Sequence, residues 1–594
     1  MARGYNYQPL NATEDEVLEQ YELQNNGTST NLHEPDGIHD GLVCPTEEER
    51  STLRRVPDAI PWSAYLIAIV ELAERFSFYG AGVVFTNFIQ YPLPVGSHTG
   101  AGMRDGQSGA LGKGQRSATG ITTLYQFWCY VTPFLGAYIA DVYLGRFATV
   151  SIAVFIALAG HAILIVAALP GVIEKPDTSL LFFLVALVVM GLGTGLFKAN
   201  IAPLVGEQYR RTKLFVAVTE RGEKVLVDPA LTVSRIYLYF YLMINIGSLV
   251  GQIGMTYSEK YVGFWLAYTL PTIVFLLCPL ILLAGRKRYA SSQRPTGESV
   301  LVTFARLVQF AWRRSSFGGR GSSFWDAAKP STIALGRRPE WMTFDDAWVD
   351  EVRRGVDACR VFMWFPVYWL AMGQMNSNLT SQAATMTTDG LPNDILSNID
   401  PLALIIFIPL FDFVVYPALQ QRGIRFTPLK KIILGFFTAA FAMVHPEAVE
   451  LTILQTSPCG TSAATCKDAN GQPLVSPISV WVQAPAYVSA AFVAPEIFAS
   501  VTGLEFAYTR APANMRSLVM SLYMGTSAVS ALLAEAFLGL SADPFLVWNY
   551  SIFGVMAALG GASLWWWASS RGLDREEDEQ RKNYYYTIID EVER

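Results

Sequence analysis

Apolar residues along this chain gather in long runs separated by short polar stretches. A helix needs about 20 predominantly apolar residues to cross a hydrocarbon core. Runs of that order recur near 62–90, 119–140, 147–169, 179–204, 234–256, 262–284, 360–386, 398–419, 428–447, 478–508, 516–538 and 546–567. The pattern predicts about twelve membrane-spanning helices. One long polar interruption, from about 286 to 358, begins GRKRYASSQRP, ends WVDEVRRGVDACR and separates six predicted spans from six.

Six plus six with a long middle loop is the layout of a duplicated transporter, whose two bundles rock about a site near the bilayer midplane. The expected fold class is an all-α membrane protein of the major facilitator type: twelve transmembrane helices in two six-helix bundles around a central cavity. Composition agrees. Of 594 residues, 52% are hydrophobic and only 16% charged, and mean hydropathy is +0.29, too apolar for an ordinary soluble protein of this size. The start, MARGYNYQPLNATEDEVLEQ, has neither the positive nor the apolar region of a cleaved signal peptide, so the first span is expected to be its own insertion signal. The net charge of −6 comes largely from the tails; it says little about partners and does not point to nucleic acid.

Lys and Arg cluster in alternate loops, at Arg210, Arg211, Lys213, Arg221 and Lys224 after the fourth span and at Arg422, Arg425, Lys430 and Lys431 after the eighth. By the positive-inside bias both termini and the central loop are expected in the cytoplasm, with the loops near 91–118, 387–397 and 448–477 outside. The expected organisation is a mostly disordered cytoplasmic tail (1–58), a first bundle (59–285), a cytoplasmic linker with one or two amphipathic helices (286–358), a second bundle (359–570) and a cytoplasmic tail (571–594).

Several chemistries find no support. The six cysteines form no CxxC pair and no zinc-like spacing. Cys459 and Cys466 stand in one polar loop, and if that loop faces an oxidising space, pairing and free thiols are equally open. The glycine-rich GSHTGAGMRDGQSGALGKGQ does not stand between a strand and a helix as a phosphate-binding loop must, and reads as a flexible loop. There is no HExxH and no G-x-S-x-G, so neither an enzyme nor a cofactor is expected. Among glycosylation sequons, Asn11 and Asn26 are expected in the cytoplasm and Asn378 within a span, which leaves Asn549 as a weak candidate.

Charges inside the apolar runs carry the functional signal. The first span, YLIAIVELAERFSFYGAGVV, holds Glu71, Glu74 and Arg75, and each charge at mid-bilayer costs about 2.5–3.5 kcal/mol even on the lenient insertion scale. Their offsets of three and four place them on one helical face, continued by Tyr79. A structural ion pair would leave one carboxylate of the three charges unmatched, which favours function. Lys198 stands alone in the fourth span. If Glu71 or Glu74 is its partner, protonating that glutamate frees the lysine, a sufficient proton switch. The tenth span adds Glu496, near the predicted midplane, and Glu505, nearer the cytoplasmic end, where a gate or helix-end salt bridge would sit. A zwitterion between the halves would set its carboxylate on Arg75 and Lys198 and its ammonium on Glu496, drawing the bundles together. His161 and His445, in apolar runs, read as buried polar fillers.

These residues resemble the proton-dependent oligopeptide transporter family, whose first-helix pattern Glu-x-x-Glu-Arg-Phe-x-Tyr-Tyr reads here ELAERFSFY, with Phe78 in place of the first tyrosine. Further matches are GAYIADVYLGR, FKANIAPLVGEQ, YFYLMINIGSLVG, YWLAMGQMNSNLTSQA and APEIFASVTGLEFAYTRAPANMRS. The likeness covers residues 60 to 570 and is greatest to fungal members. It implies a proton-coupling set of Glu71, Glu74, Arg75 and Lys198. It implies peptide-binding positions at Tyr79, Tyr130, Asn245 and Glu496, the last receiving the peptide amino terminus, and aromatic pocket walls at Trp369 and Tyr523. Asp141 and Arg146 match the gating loop of the superfamily.

Departures shift the weight within that set. The seventh helix has Met372 and Gly373 before Gln374 where many members carry an acidic residue, and Thr123 replaces a histidine of animal members, so coupling should rest on Glu71, Glu74 and Lys198. Asp400, matching an asparagine of bacterial members, either caps its helix or adds negative charge at the outer mouth. The resemblance implies a monomeric, proton-coupled symporter importing di- and tripeptides across the plasma membrane by alternating access, with a peptide sensor as the alternative.

Overall fold

The computed structural model describes residues 7–9, 45–104, 106–211, 213–219, 222–287, 289, 300–317, 324–333, 338–339, 341–373, 377–415, 418–419, 422, 427–468, 474–488, 496–503, 506 and 516–571. Before the linker stand α1 (Trp62–Val83), α2 (Phe85–Gln90), α3 (Gly114–Ile139), α4 (Arg146–Ala168), α5 (Pro176–Gly206), α6 (Pro229–Tyr261), α7 (Phe264–Phe275) and α8 (Leu277–Gly285). The linker contributes α9 (Val300–Phe317) and α10 (Asp346–Cys359). Beyond it come α11 (Phe365–Met372), α12 (Asn378–Ala383), α13 (Ile399–Leu410), α14 (Pro428–Ala442), α15 (Val444–Thr456), α16 (Ala484–Val488), α17 (Arg516–Ala536) and α18 (Leu546–Ser570).

Six helices among the described residues are long and apolar enough to cross a bilayer by themselves: Arg146–Ala168, Pro176–Gly206, Leu231–Tyr261, Phe264–Gly285, Pro428–Thr456 and Leu546–Ser570. Several other predicted runs are helical but broken. The run 62–90 divides at Val84 between α1 and α2, and 360–386 begins as a 3-10 turn, Arg360–Trp364, before α11 and α12. Two π-helical turns, Ala140–Leu144 and Glu496–Val501, fall in segments singled out for function, as such turns often do.

Small residues set the helix spacing. Side chains added at Gly247 and Gly251 of α6 would meet the carbonyls of Leu72 and Phe76 on α1, and one at Gly195 of α5 would run into Thr132 of α3. Lipid offers no hydrophobic gain for helix association, so such close backbone approach supplies the packing. Each half has its own apolar core, including Phe85, Phe88, Phe183, Phe264 and Tyr268 before the linker and Phe365, Tyr368, Phe436 and Tyr550 after it. In the linker, Leu307 and Ala311 of α9 pack on Val349 and Val352 of α10, so the apolar faces of the two expected amphipathic helices cover each other.

Parts of the chain depart from expectation. Tyr7–Pro9 (β1), Arg55–Val56 (β2), Phe215–Thr219 (β3) and Lys224–Val227 (β4) form a small sheet in the order β1-β3-β4-β2. The N-terminal tail therefore contributes two strands rather than being wholly loose. The hairpin β3–β4 pairs Phe215 with Val227, Gly222 has the positive φ of a tight turn, and Arg54 bridges Glu223 at 3.1 Å. The glycine-rich segment folds back on the end of α2 rather than hanging open: Ala110 and Gly112 donate to the Tyr91 carbonyl, and a Cβ at Gly109 would lie 2.5 Å from the Pro92 oxygen. Cys459 and Cys466 form a disulfide. Asn549 is buried and donates to Ser541, which leaves no room for a glycan.

Side-chain hydrogen bonds join the halves at the end bearing the 91–113, 387–398 and 457–483 loops, called here the loop end. Asn87 donates to Asn393 at 2.8 Å, Ser381 to Gln90 at 2.5 Å and Tyr261 to the Gly390 carbonyl at 2.8 Å. Gly195→Val should overpack the α3–α5 crossing and cost about 1–3 kcal/mol or more. A lower denaturation midpoint in detergent checks this, with Gly82→Ala, where an added Cβ meets nothing within 4 Å, expected to change little.

Candidate functional site

The charged stripe of α1 is assembled as its spacing requires. Glu71, Glu74 and Arg75 are each only 3% exposed. Arg75 Nε donates to Glu71 Oε1 at 2.8 Å and lies 2.8 Å from Glu74 Oε2 in an ionic contact. One guanidinium thus serves two carboxylates, and the second oxygen of Glu71 has no hydrogen-bond partner.

Lys198, half-buried on α5, lies close enough to interact electrostatically with both glutamates, yet forms no salt bridge with either. Its Nζ sits 4.3 Å from the Tyr130 ring centroid, a cation–π contact. The expected lysine–carboxylate pair is therefore replaced in this conformation by Arg75, which reaches both glutamates from their own helix. Tyr79, 37% exposed, extends the stripe, with its ring centroid 6.0 Å from the Arg75 guanidinium carbon. Phe78, in the tyrosine's place, also lies under Arg75, at 5.4 Å, and packs beside Tyr125. Ser77 and His161 are 2.9 Å apart, tying α1 to α4, so His161 is a bonded filler. Glu71, Glu74, Arg75, Tyr79, Tyr130 and Lys198 thus form one site.

Asn245 does not join it directly: its amide donates to the Tyr241 carbonyl one turn back on α6 at 2.9 Å. In the second half Trp369 donates to Thr526 at 3.1 Å and lies against Tyr523, whose hydroxyl donates to the Ser500 carbonyl at 2.8 Å. Tyr523 is buried in the core of that half and braces the π-helical turn that begins at Glu496, so its ring supports a wall rather than forming the surface of one. Glu496 lies on that turn; Glu505 and Gln374 lie outside the described residues. α17 reaches α3 where a Cβ at Gly525 would lie 3.3 Å from Phe134, bringing Trp369 and Thr526 toward the level of Tyr130. At the ends of α4 and α5, Arg146 forms its salt bridge with Glu207, while Asp141 sits in the preceding π turn within its field.

Residues 147–553 match the sequence profile of PTR2, described as the POT family. The chain belongs to the POT family. It is 40% identical over 523 residues to a probable peptide transporter, ptr2, of Schizosaccharomyces pombe, covering 88% of this chain and 80% of that protein. It is also 40% identical over 534 residues to peptide transporter PTR_C of Candidozyma auris, covering 89% and 88%. Among solved structures, the POT family transporter PepTSo superposes with a TM-score of 0.66 at 20% identity, covering 86% of this chain and 99% of that one. The fold is that of a major facilitator transporter, and the relatives of this POT-family chain are membrane transporters, not enzymes.

Sequence reasoning passed over one polar cluster in this POT-family chain. Asn87, Gln90, Glu259, Ser381, Asn393 and Asp394 are all buried at the loop end. The signal was present in Asn87 and Gln90, polar residues at the end of an apolar run. Around α1, Arg75→Met should cost about 3–5 kcal/mol by stranding two buried carboxylates. Adding Glu71→Gln and Glu74→Gln should recover most of that loss in SDS denaturation of the purified protein.

Proposed function

We propose that this chain is a proton-coupled symporter that imports di- and tripeptides by alternating access. The observation that carries the reading is the buried α1 cluster, in which one arginine serves two carboxylates while Lys198, within their field, forms a salt bridge with neither. A proton on Glu71 or Glu74 leaves the two cations one charge in excess, and Lys198 is then available to a peptide carboxylate. Arg75 and Lys198 belong to the first half and Glu496 to the second, so a peptide bound by its carboxylate to the former and its ammonium to the latter favours the closed arrangement of the halves. Tyr79, Tyr130, Asn245 and Trp369 contribute contacts to the peptide; Tyr523 acts through the Glu496 turn, and Asp141, Arg146 and Glu505 act on the gates. Peptide substrates are supported by the likeness to fungal peptide transporters. Protons are the co-transported ion, and no cofactor enters the cycle. We further propose a monomer in the plasma membrane, with both termini cytoplasmic and the loop end outside.

Uptake of labelled dialanine into proteoliposomes tests this. The wild type should accumulate it only under an inward proton gradient. Glu74→Gln and Lys198→Ala should each reduce that uptake by tenfold or more, on the order of the 1.4 kcal/mol that a tenfold change represents, and Glu496→Gln should abolish it. Unchanged uptake in all three variants would reject the assignment, and saturable binding by a folded wild type without accumulation would make the protein a peptide sensor.

A further inference from the structure

Outside the α1 cluster, the densest buried polar group lies where the halves meet at the loop end. Glu259, near the end of α6, and Asp394, just before the turn Ile395–Asn398, come from opposite halves and bring their carboxyl groups within hydrogen-bonding reach. They are 2% and 1% exposed. Asn87 donates to Glu259 Oε1 at 2.8 Å and exchanges hydrogen bonds with Asn393 at 2.8 and 3.0 Å; Asn393 also donates to the Thr380 carbonyl. Glu259 Oε2 and both side-chain oxygens of Asp394 find no other hydrogen-bond donor.

The charged and titratable groups around the pair do not neutralise it. Lys260 acts on both carboxyls, and its Nζ donates to the Gly106 carbonyl at 2.7 Å. Tyr268 of α7 faces Glu259; Tyr487 of α16 faces Asp394, with Asp400 of α13 beside that tyrosine. One ammonium cannot offset two carboxylates withdrawn from water, and two carboxyls in contact cannot both ionise without strong repulsion. A single proton between them removes the repulsion and supplies the missing donor.

We propose that Glu259 and Asp394 share one proton across the closed loop end, a second proton-binding site apart from the α1 cluster, which latches the two halves there until that proton leaves. Opening separates the carboxyls, and the proton passes to water. Burial pushes the Asp394 carboxyl up to about 7 in the closed arrangement, whereas an opened, hydrated carboxyl returns to its ordinary range near 4. The closed state therefore binds more protons across that window. Closure weakens as pH rises from about 4 and goes on weakening past 7, because the proton shared by the two carboxyls is the last to leave the pair. The latch rests on the proposed function only for which compartment the proton enters from.

The test is a distance measurement in nanodiscs, where both faces meet the same pH. Spin labels on Val95→Cys and Leu474→Cys, exposed positions at the loop end of opposite halves, are placed in a Cys44→Ser, Cys359→Ser background. Otherwise wild-type protein should show an open-to-closed ratio that rises from pH 5 and goes on rising, by up to about tenfold per pH unit, above pH 7. The double variant Glu259→Gln, Asp394→Asn should stay closed throughout. A wild-type ratio flat from pH 5 to 8.5, or a double variant that still opens as pH rises, would each overturn the latch. Since the readout is a distance, absent peptide uptake with an intact pH response would reject the transport reading and leave the latch standing.

Discussion

Ionised groups are costly inside a bilayer unless partners accompany them, and that constraint organises this molecule around α1. Three charges on one helical face need a polar interior to look into, so α1 must face the centre of the helix assembly rather than lipid. Arg75 meets both glutamates through its own helix geometry, which frees Lys198 to rest on Tyr130. The cluster thus pairs its carboxylates within α1 and leaves Lys198 beside them without a salt bridge to either. An ion or a zwitterion entering it changes its energy in a way that an apolar core would not feel.

Holding such a helix requires neighbours that approach closely. α6 does so with Gly247 and Gly251 against the carbonyls of Leu72 and Phe76, and the Ser77–His161 contact fixes α1 to α4. The second half is built differently around its counterpart. Glu496, the residue proposed to receive the peptide ammonium, belongs to a π-helical turn rather than a regular helix, and Tyr523 anchors that turn through the Ser500 carbonyl. A rigid charged stripe in one half and a braced irregular turn in the other suit a site whose two walls must move relative to each other.

The halves touch most tellingly through polar groups. An apolar seam would resist separation through the area it buries, whereas the Asn87–Asn393 and Glu259–Asp394 contacts can be exchanged for water at small net cost once opened. Their strength depends on protonation, which a hydrophobic seam lacks. Proton-sensitive groups thus occur both at the centre and at the loop end, on different elements.

Hydropathy and a 3.6-residue period are local properties, so the solvent, the approximate helix positions and the charged face of α1 are legible in the chain alone. The FVAVTERGEKVLV alternation of the β-hairpin is local too, but it is a faint signal beside so many apolar runs. Only the tertiary structure decided which cation meets Glu71 and Glu74, that Asn245 turns to its own backbone, that Tyr523 braces the Glu496 turn, and that Glu259 meets Asp394 across the halves. Those outcomes depend on distances between residues tens to hundreds of positions apart. No periodicity encodes such distances; the packing of one helix against another sets them.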